Sequence, residues 1–555
     1  MHYVIILLLI IRPLICEQAN ASLAILFDIF FLGFFLLHIL FAKHLKINKP
    51  VFLLSITFPF LIALSNLFSV NLFNSEAELL RVFVLVLIFN FVCFLDKRQR
   101  GILIKGMLGI SAIVCLRAIY QYFFGIDFIR NSQSFDQLTE SGFYAWELLL
   151  QKRVVSWFSS PNIMGGYLIT FCPLAFASLF KSIKEKNKRE VVLFSLLCLV
   201  LFLSVILAKA LAVFLSFILS MVFLFALLSS NKKTKDMNKY AGIIIVIFVT
   251  CLVGLFFLRR ASFVDFKNPQ NSIAQRVYYW QSSLQIISEH PIAGVGAGNF
   301  KIIYPRFKNK SANETVYAHN SYLQIWAESG LVALLIFGFF IFIIFRSAMQ
   351  KKLSCIDAGI IAGCVAVLLQ NFFDYSLFIT QSAHIWWIFL ACVLSESEHD
   401  LEKVKGTHRH LTPLKLFYLI LSVLLLFDSF LFYKSENSIK EAVRLFKNKE
   451  FDDSIVWARN ALRYKPENDL AFYIIARNFR GIEKSKLSIN ALNYYNKAIS
   501  LNKNYAFYYW ELAVYFFRHN KIDEAKRFID LAIKSYPQNP KFQSLNSKIT
   551  DLESY

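Results

Sequence analysis

Apolar stretches of membrane-spanning length recur along this chain, and most of them end at short loops rich in lysine and arginine. They lie at 3–16, 20–41, 51–69, 79–95, 102–124, 161–180, 190–207, 209–229, 240–258, 330–346, 356–373, 380–395 and 415–433. A run of about 20 apolar residues spans a bilayer as a helix, whereas a barrel strand would show about 10 residues of alternating polarity. The backbone in hydrocarbon must also satisfy its own hydrogen bonds. The chain is therefore expected to be all-α, a polytopic membrane bundle of about 13 helices. Composition agrees: 57% of the 555 residues are hydrophobic and only 17% charged, against about a quarter charged in soluble domains.

The loops give an orientation. With the N-terminus in the cytoplasm, the inside loops read AKHLKINKP, DKRQRGILIK, KSIKEKNKRE, NKKTKDMNK, RSAMQKK and 396–415, all rich in Lys or Arg. The short outside loops EQAN, VNLFNSEAELLR and DYSLF hold one Arg among them. This asymmetry is the positive-inside rule, so the net charge of +22 reflects topology and not a nucleic-acid face. Two outside loops are long, 125–160 and 259–329. The N-terminal run MHYVIILLLIIRPLIC lacks a basic leader and a small-x-small cleavage site, so it reads as a first transmembrane helix. The nine cysteines lie in or beside apolar runs without metal-type spacing, as small buried hydrophobes do.

From 434 to 555 the chain turns polar and periodic, and on this topology it lies outside the membrane. Ala461, Ala498 and Ala532 recur, as do Pro466, Lys503 and Pro537. Tyr509, Leu512, Ala513, Phe516, Ala525, Ile529, Ala532 and Pro537 fall at the positions of a 34-residue tetratricopeptide unit. The expectation is a membrane domain over 1–433 followed by an α-solenoid of three repeats, the middle one stretched around RGIEKSKLS, with room for a protein partner.

The loop 259–329 carries the polar signals. Arg276 to Ile287 reads as an amphipathic helix with Val277, Trp280, Leu284 and Ile287 on one face. EHPIAGVGAGNF then breaks it. Its Gly-x-Gly run lacks the strand–turn–helix setting of a phosphate cradle and reads as a tight turn at the membrane surface. Further on, AHNSYLQIWAESGLVALLIF sets His319, Asn320 and Glu328 at the mouth of an apolar helix that begins at Gly330.

Arg276, Trp280, Pro291, Gly294, Gly296, His319, Asn320, Leu323, Glu328 and Gly330 together resemble the O-antigen ligase and polymerase family, over roughly residues 20–395. The resemblance implies a periplasmic glycosyltransferase, free of metal and cofactor. It would take a glycan from an undecaprenyl-diphosphate carrier to lipid A-core, a polysaccharide or a protein. It also implies basic residues at Arg153, before the Pro-Asn segment, and at an arginine that this sequence replaces with Lys209. That departure matters, because arginine grips phosphate with a planar fork and lysine with a point charge.

The residues support such chemistry on their own terms. Cations at membrane depth cost about 2.5–3.5 kcal/mol on insertion scales, and a lipid diphosphate would compensate Arg153, Lys209 and Arg276. A neutral imidazole at His319 suits removal of the acceptor proton. Arg276 is alternatively a snorkelling side chain, and His319 a polar anchor. Glu328 is expected to tie the loop to Asn320 or to cap a helix start, with Trp280 and Gly330 as supports. The competing functions are ligase, polymerase, protein O-oligosaccharyltransferase and, from another class, a lipid-linked glycan transporter. A scaffold that merely anchors the repeats would not need so many spans.

Overall fold

The computed structural model describes residues 2–42, 49–132, 148–229, 254, 271–394, 413–483 and 487–553. Among these residues the chain is entirely helical in its regular structure. Nine described helices are long and apolar enough to cross a membrane: Ala21–Phe41, Val51–Phe68, Leu72–Phe94, Lys97–Asn131, Pro161–Lys184, Lys188–Leu207, Leu211–Ser229, Ser321–Met349 and Pro413–Lys447. The shorter apolar helices His2–Leu14, Cys355–Gln370 and Thr380–Leu394 coincide with three more of the expected spans. The span expected at 240–258 lies outside the described residues, apart from Gly254. So do loop residues 133–147 and 259–270, residues 484–486 of the stretched repeat, and the Lys/Arg-rich loop residues 43–48, 231–239 and 396–412.

The chain divides into two compact units. The first comprises Met1–Ser55, Val84–Val264 and Gly338–Ser422; the second Ile56–Phe83, Asp265–Phe337 and Val423–Tyr555. Small residues set close packing in the first. Gly363 presses on the Thr170 carbonyl, where an added Cβ would lie 2.3 Å from the oxygen, and Gly359 faces Leu174 and Ala177. Such contacts let membrane helices approach closely where hydrophobicity alone gives no drive to associate.

In the second unit, helices of 13 or 14 residues alternate with short turns: Phe451–Tyr464, Asp469–Ile482, Ile489–Leu501, Ala506–Arg518, Ile522–Ser535 and Pro540–Glu553. The expected boundary at 433 falls inside the continuous helix Pro413–Lys447. Ala461, Ala498 and Ala532 are fully buried. Each gives its carbonyl to the N–H four residues on, in Lys465, Asn502 and Tyr536. The sequence period is thus also a backbone period.

Lys465 is the one lysine fully buried among the described residues, at 4% exposure. Its ammonium sits 2.5 Å from Asp428 Oδ1 and 3.1 Å from Glu76 Oε2, and 4.0 Å from the Phe432 ring centre. Both carboxylates are about one-third exposed, so removing the lysine leaves them able to hydrate. Lys465→Met is expected to lower the opening free energy of the helices around it by about 1–2 kcal/mol. Hydrogen exchange of Asp469–Ile482 in detergent measures this, and unchanged protection would disprove a stabilising role for the pair.

Candidate functional site

The helix Ser272–Glu289 starts where Asn271 accepts hydrogen bonds from the Ile273 and Ala274 amides, a standard N-cap. It places Arg276, Tyr279 and Trp280 on one side at i, i+3 and i+4. Trp280 Nε1 donates to the His319 carbonyl at 3.3 Å. The Tyr279 ring stacks on the His319 imidazole, with centroids 5.2 Å apart and planes at 25°. His319 itself has φ +51°, a left-handed conformation that costs a residue with a Cβ about 1 kcal/mol or more. Asn320 follows as the N-cap of the next helix, its Oδ1 accepting from Tyr322 and Leu323 at 3.0 Å. The imidazole is therefore held by a stacked ring and a strained, tethered backbone.

Burial and the nearby Arg276 guanidinium push the His319 pKa down to about 3, so the ring is neutral at physiological pH. Burial likewise pushes the Tyr279 phenol up to about 12, with Arg276 pulling the other way. The site offers a neutral proton acceptor beside a permanent cation. Arg276 is half-buried and donates to the Ser272 carbonyl at 3.3 Å.

The buried face of this helix differs from the expected one. Leu284 is exposed, while Gln275, Ser282 and Ser283 are buried. Gln275 bridges the Ser311 carbonyl and the Asn313 amide, and Ser282 donates to the Phe307 carbonyl. Ile287 is buried as expected, but polar residues that find backbone partners inside rotate the buried face away from Leu284.

The turn after this helix is clasped to the helix mouth. Val295 and Gly296 donate their amides to the Ala327 and Glu328 carbonyls at 3.0 and 2.9 Å, and the Leu331 amide donates to Pro291 at 3.2 Å. The helix Ser321–Met349 breaks at Gly330, with φ 82° and ψ 171°. A Cβ there would lie 1.7 Å from the Ile292 oxygen, and one on Gly294 2.4 Å from the Glu328 carbonyl. Only glycine fits either position. The Glu328 carboxylate accepts from the Phe300 amide at 3.0 Å and from Gln324 at 2.9 Å. It caps the helix Phe300–Phe307, while Asn320 caps its own.

Arg153 and Lys209 lie in the first unit and meet there. Arg153 donates to the Ala208 carbonyl and to Asn162 Oδ1, both at 3.2 Å, and Lys209 Nζ donates to the Gln151 carbonyl at 2.6 Å. Lys209, like His319, has a left-handed φ, here +49°, closing the turn after Lys188–Leu207. Sequence reading missed Lys152, whose ammonium and that of Lys209 each lie 5.9 Å from the Tyr122 ring centre. It also missed Gln121, which receives the Val155 and Ser156 amides and so shapes the segment holding Arg153. A π-helical turn over Gln121–Gly125 was the structural signal, and such turns recur at functional sites. Arg276, Trp280, His319, Asn320, Glu328 and Gly330 all belong to the second unit. Among the described residues no group of three His, Cys, Asp or Glu could hold a metal ion.

Among the described residues the fold is that of an all-helical polytopic membrane protein, with a polar cluster at a helix mouth. Residues 194–338 match the O-antigen ligase family, Wzy_C, so the chain carries a domain of that family, with glycan transfer of the ligase or polymerase type. No curated protein matches. One similar solved structure is the first TPR of Spaghetti (RPAP3) bound to HSP90 peptide SRMEEVD, 20% identical over 22% of this chain and 94% of that one, with a TM-score of 0.21.

Two outcomes follow from this geometry. Gly330→Ala is expected to cost more than 3 kcal/mol of local stability, roughly the scale of severe backbone conflict; protease resistance equal to wild type would overturn the clasp. Between the folded pKa near 3 and the reference value of about 6.5, the unfolded chain binds a proton that folded His319 does not. This contribution to stability is full above about pH 6.5 and falls as the pH drops toward 3. Labelled-histidine NMR should show a neutral His319 from pH 5 to 8, and a midpoint near 6.5 would refute its burial.

Proposed function

We propose that the protein transfers a glycan from an undecaprenyl-diphosphate carrier to an acceptor hydroxyl at the periplasmic face of the inner membrane. The observation that carries this reading is the neutral His319 ring stacked on Tyr279, its backbone carbonyl held by Trp280, with the Arg276 cation beside it. The acceptor oxygen attacks the anomeric carbon, the bond from that carbon to the phosphate oxygen breaks, and the diphosphate leaves with the bonding electrons. The acceptor proton passes to His319. Arg276 binds the diphosphate and stabilises the charge that builds on it.

An imidazole with a pKa near 3 is a weak base in the empty site. A bound diphosphate offsets the repulsion from Arg276 and makes the ring more basic, so proton uptake is favoured when donor is present. Trp280, Asn320, Glu328 and Gly330 support the loop and do not react. Residues 434–555 are proposed as a tetratricopeptide domain for a protein partner, supported by the recurring buried alanines and their shared hydrogen bond.

His319→Ala should lower transfer by about 10²–10⁴-fold, the usual contribution of a general base, while carrier-linked donor still binds. Unchanged turnover would remove His319 from the reaction. Arg276→Lys should raise the KM for donor, since the fork is lost and the charge kept. Gene deletion separates the acceptors: bare lipid A-core means a ligase, single-unit caps a polymerase, and unglycosylated protein with intact lipopolysaccharide a protein transferase.

A further inference from the structure

We infer that the Pro291–Gly294 turn is a membrane anchor, seating Ile292 in the bilayer's headgroup and upper acyl region at the Gly330 end of the helix Ser321–Met349. Ile292 is 74% exposed. It is the most exposed large apolar side chain on the described part of this loop, and it lies at the tip of a turn pressed on the helix break. Directly after the break, Leu331, Val332 and Leu335 are exposed as well, Leu335 by 61%. They form an exposed stripe on a helix apolar enough to span, and the Ile292 backbone packs against Gly330 at the end of that stripe.

The backbone of the turn is already prepared for a poorly hydrated place. Pro291 has no N–H, and its carbonyl accepts from both Trp326 Nε1 at 3.0 Å and the Leu331 amide at 3.2 Å. The Ala293 carbonyl accepts from Ser65 Oγ at 2.5 Å, and the Gly294 amide donates to the His290 carbonyl at 3.1 Å. An irregular segment can sit at membrane depth only when its polar groups are satisfied from within. Trp326 adds an indole whose polar N–H is occupied and whose body is apolar, the character of an interfacial anchor.

A water-exposed turn would gain nothing from an isoleucine at its tip, whereas burial in lipid recovers about 25 cal/mol per Å² of apolar surface. The consequence is a fixed depth for the motif: the turn that clasps Glu328 and Gly330 is itself held at the interface. This holds whichever glycan or acceptor is handled.

The test places benzoyl-phenylalanine at 292 in the full chain, reconstituted in phosphatidylethanolamine–phosphatidylglycerol vesicles, with the same probe at exposed Ser288 as reference. After irradiation, lipid adducts at 292 should exceed those at 288 by about fivefold or more, as expected for a side chain at interfacial depth. Equal adduct levels, or cross-links from 292 only to the chain itself, would overturn the anchor. Ile292→Ser gives a second reading: thermal inactivation of the reconstituted variant should change with lipid thickness less steeply than that of the wild type. Identical dependence would count against seating.

Discussion

Three backbone hydrogen bonds between the Pro291–Gly298 turn and the Ala327–Leu331 break fix the geometry of the polar centre. They run from Val295 to Ala327, from Gly296 to Glu328 and from Leu331 to Pro291. A helix that opens at Gly330 exposes amides and carbonyls that its own turns would have satisfied. At a membrane surface those groups need partners, and the turn supplies them. The close approach excludes any side chain at Gly294 or Gly330, so two glycines far apart in sequence serve one contact. Glu328 then adds its carboxylate to the start of the helix Phe300–Phe307, joining the pieces that surround His319.

Charge is managed differently in the two units. In the second, His319 is kept neutral by desolvation and by Arg276, so an interface that disfavours cations carries one charge there instead of two. In the first, Arg153 and Lys209 exchange grips on each other's segments: the arginine on the carbonyl before Lys209, the lysine on the carbonyl two residues before Arg153. Arg153 divides its fork between two acceptors, the Ala208 carbonyl and Asn162.

Much of the fold was legible because a helix in lipid has to advertise itself as a long apolar run. Twelve expected spans meet described apolar helices. The glycines were legible as a turn, but their reason was not, since nothing local says that Gly294 faces Glu328 or that Gly330 faces Ile292. Leu284 misled because hydrophobic spacing assumes that polar residues face water, and Gln275 and Ser282 instead satisfy backbone groups inside. The left-handed backbone at Lys209 and His319 left no trace either. Histidine enters that region more often than most residues and lysine does not, yet neither marks it in the sequence, and tertiary contacts impose it.

The helix-pair array shows how periodicity and attachment coexist. Lys465, Asn502 and Tyr536 occupy the same register, each donating its amide to the alanine four residues earlier. Their side chains then diverge. Asn502 reaches the buried Asp469 carboxylate within the array at 2.9 Å. Lys465 reaches Glu76 and Asp428, at the start of the array. Tyr536 donates to Glu314, which also pairs with Lys308, so the far end of the array touches the segment leading to His319. Because the backbone bond carries the repeat, the side chain at that register is free to vary. The array is thereby tied at both ends within its own unit, and the end at Tyr536 braces the loop segment that leads to the imidazole.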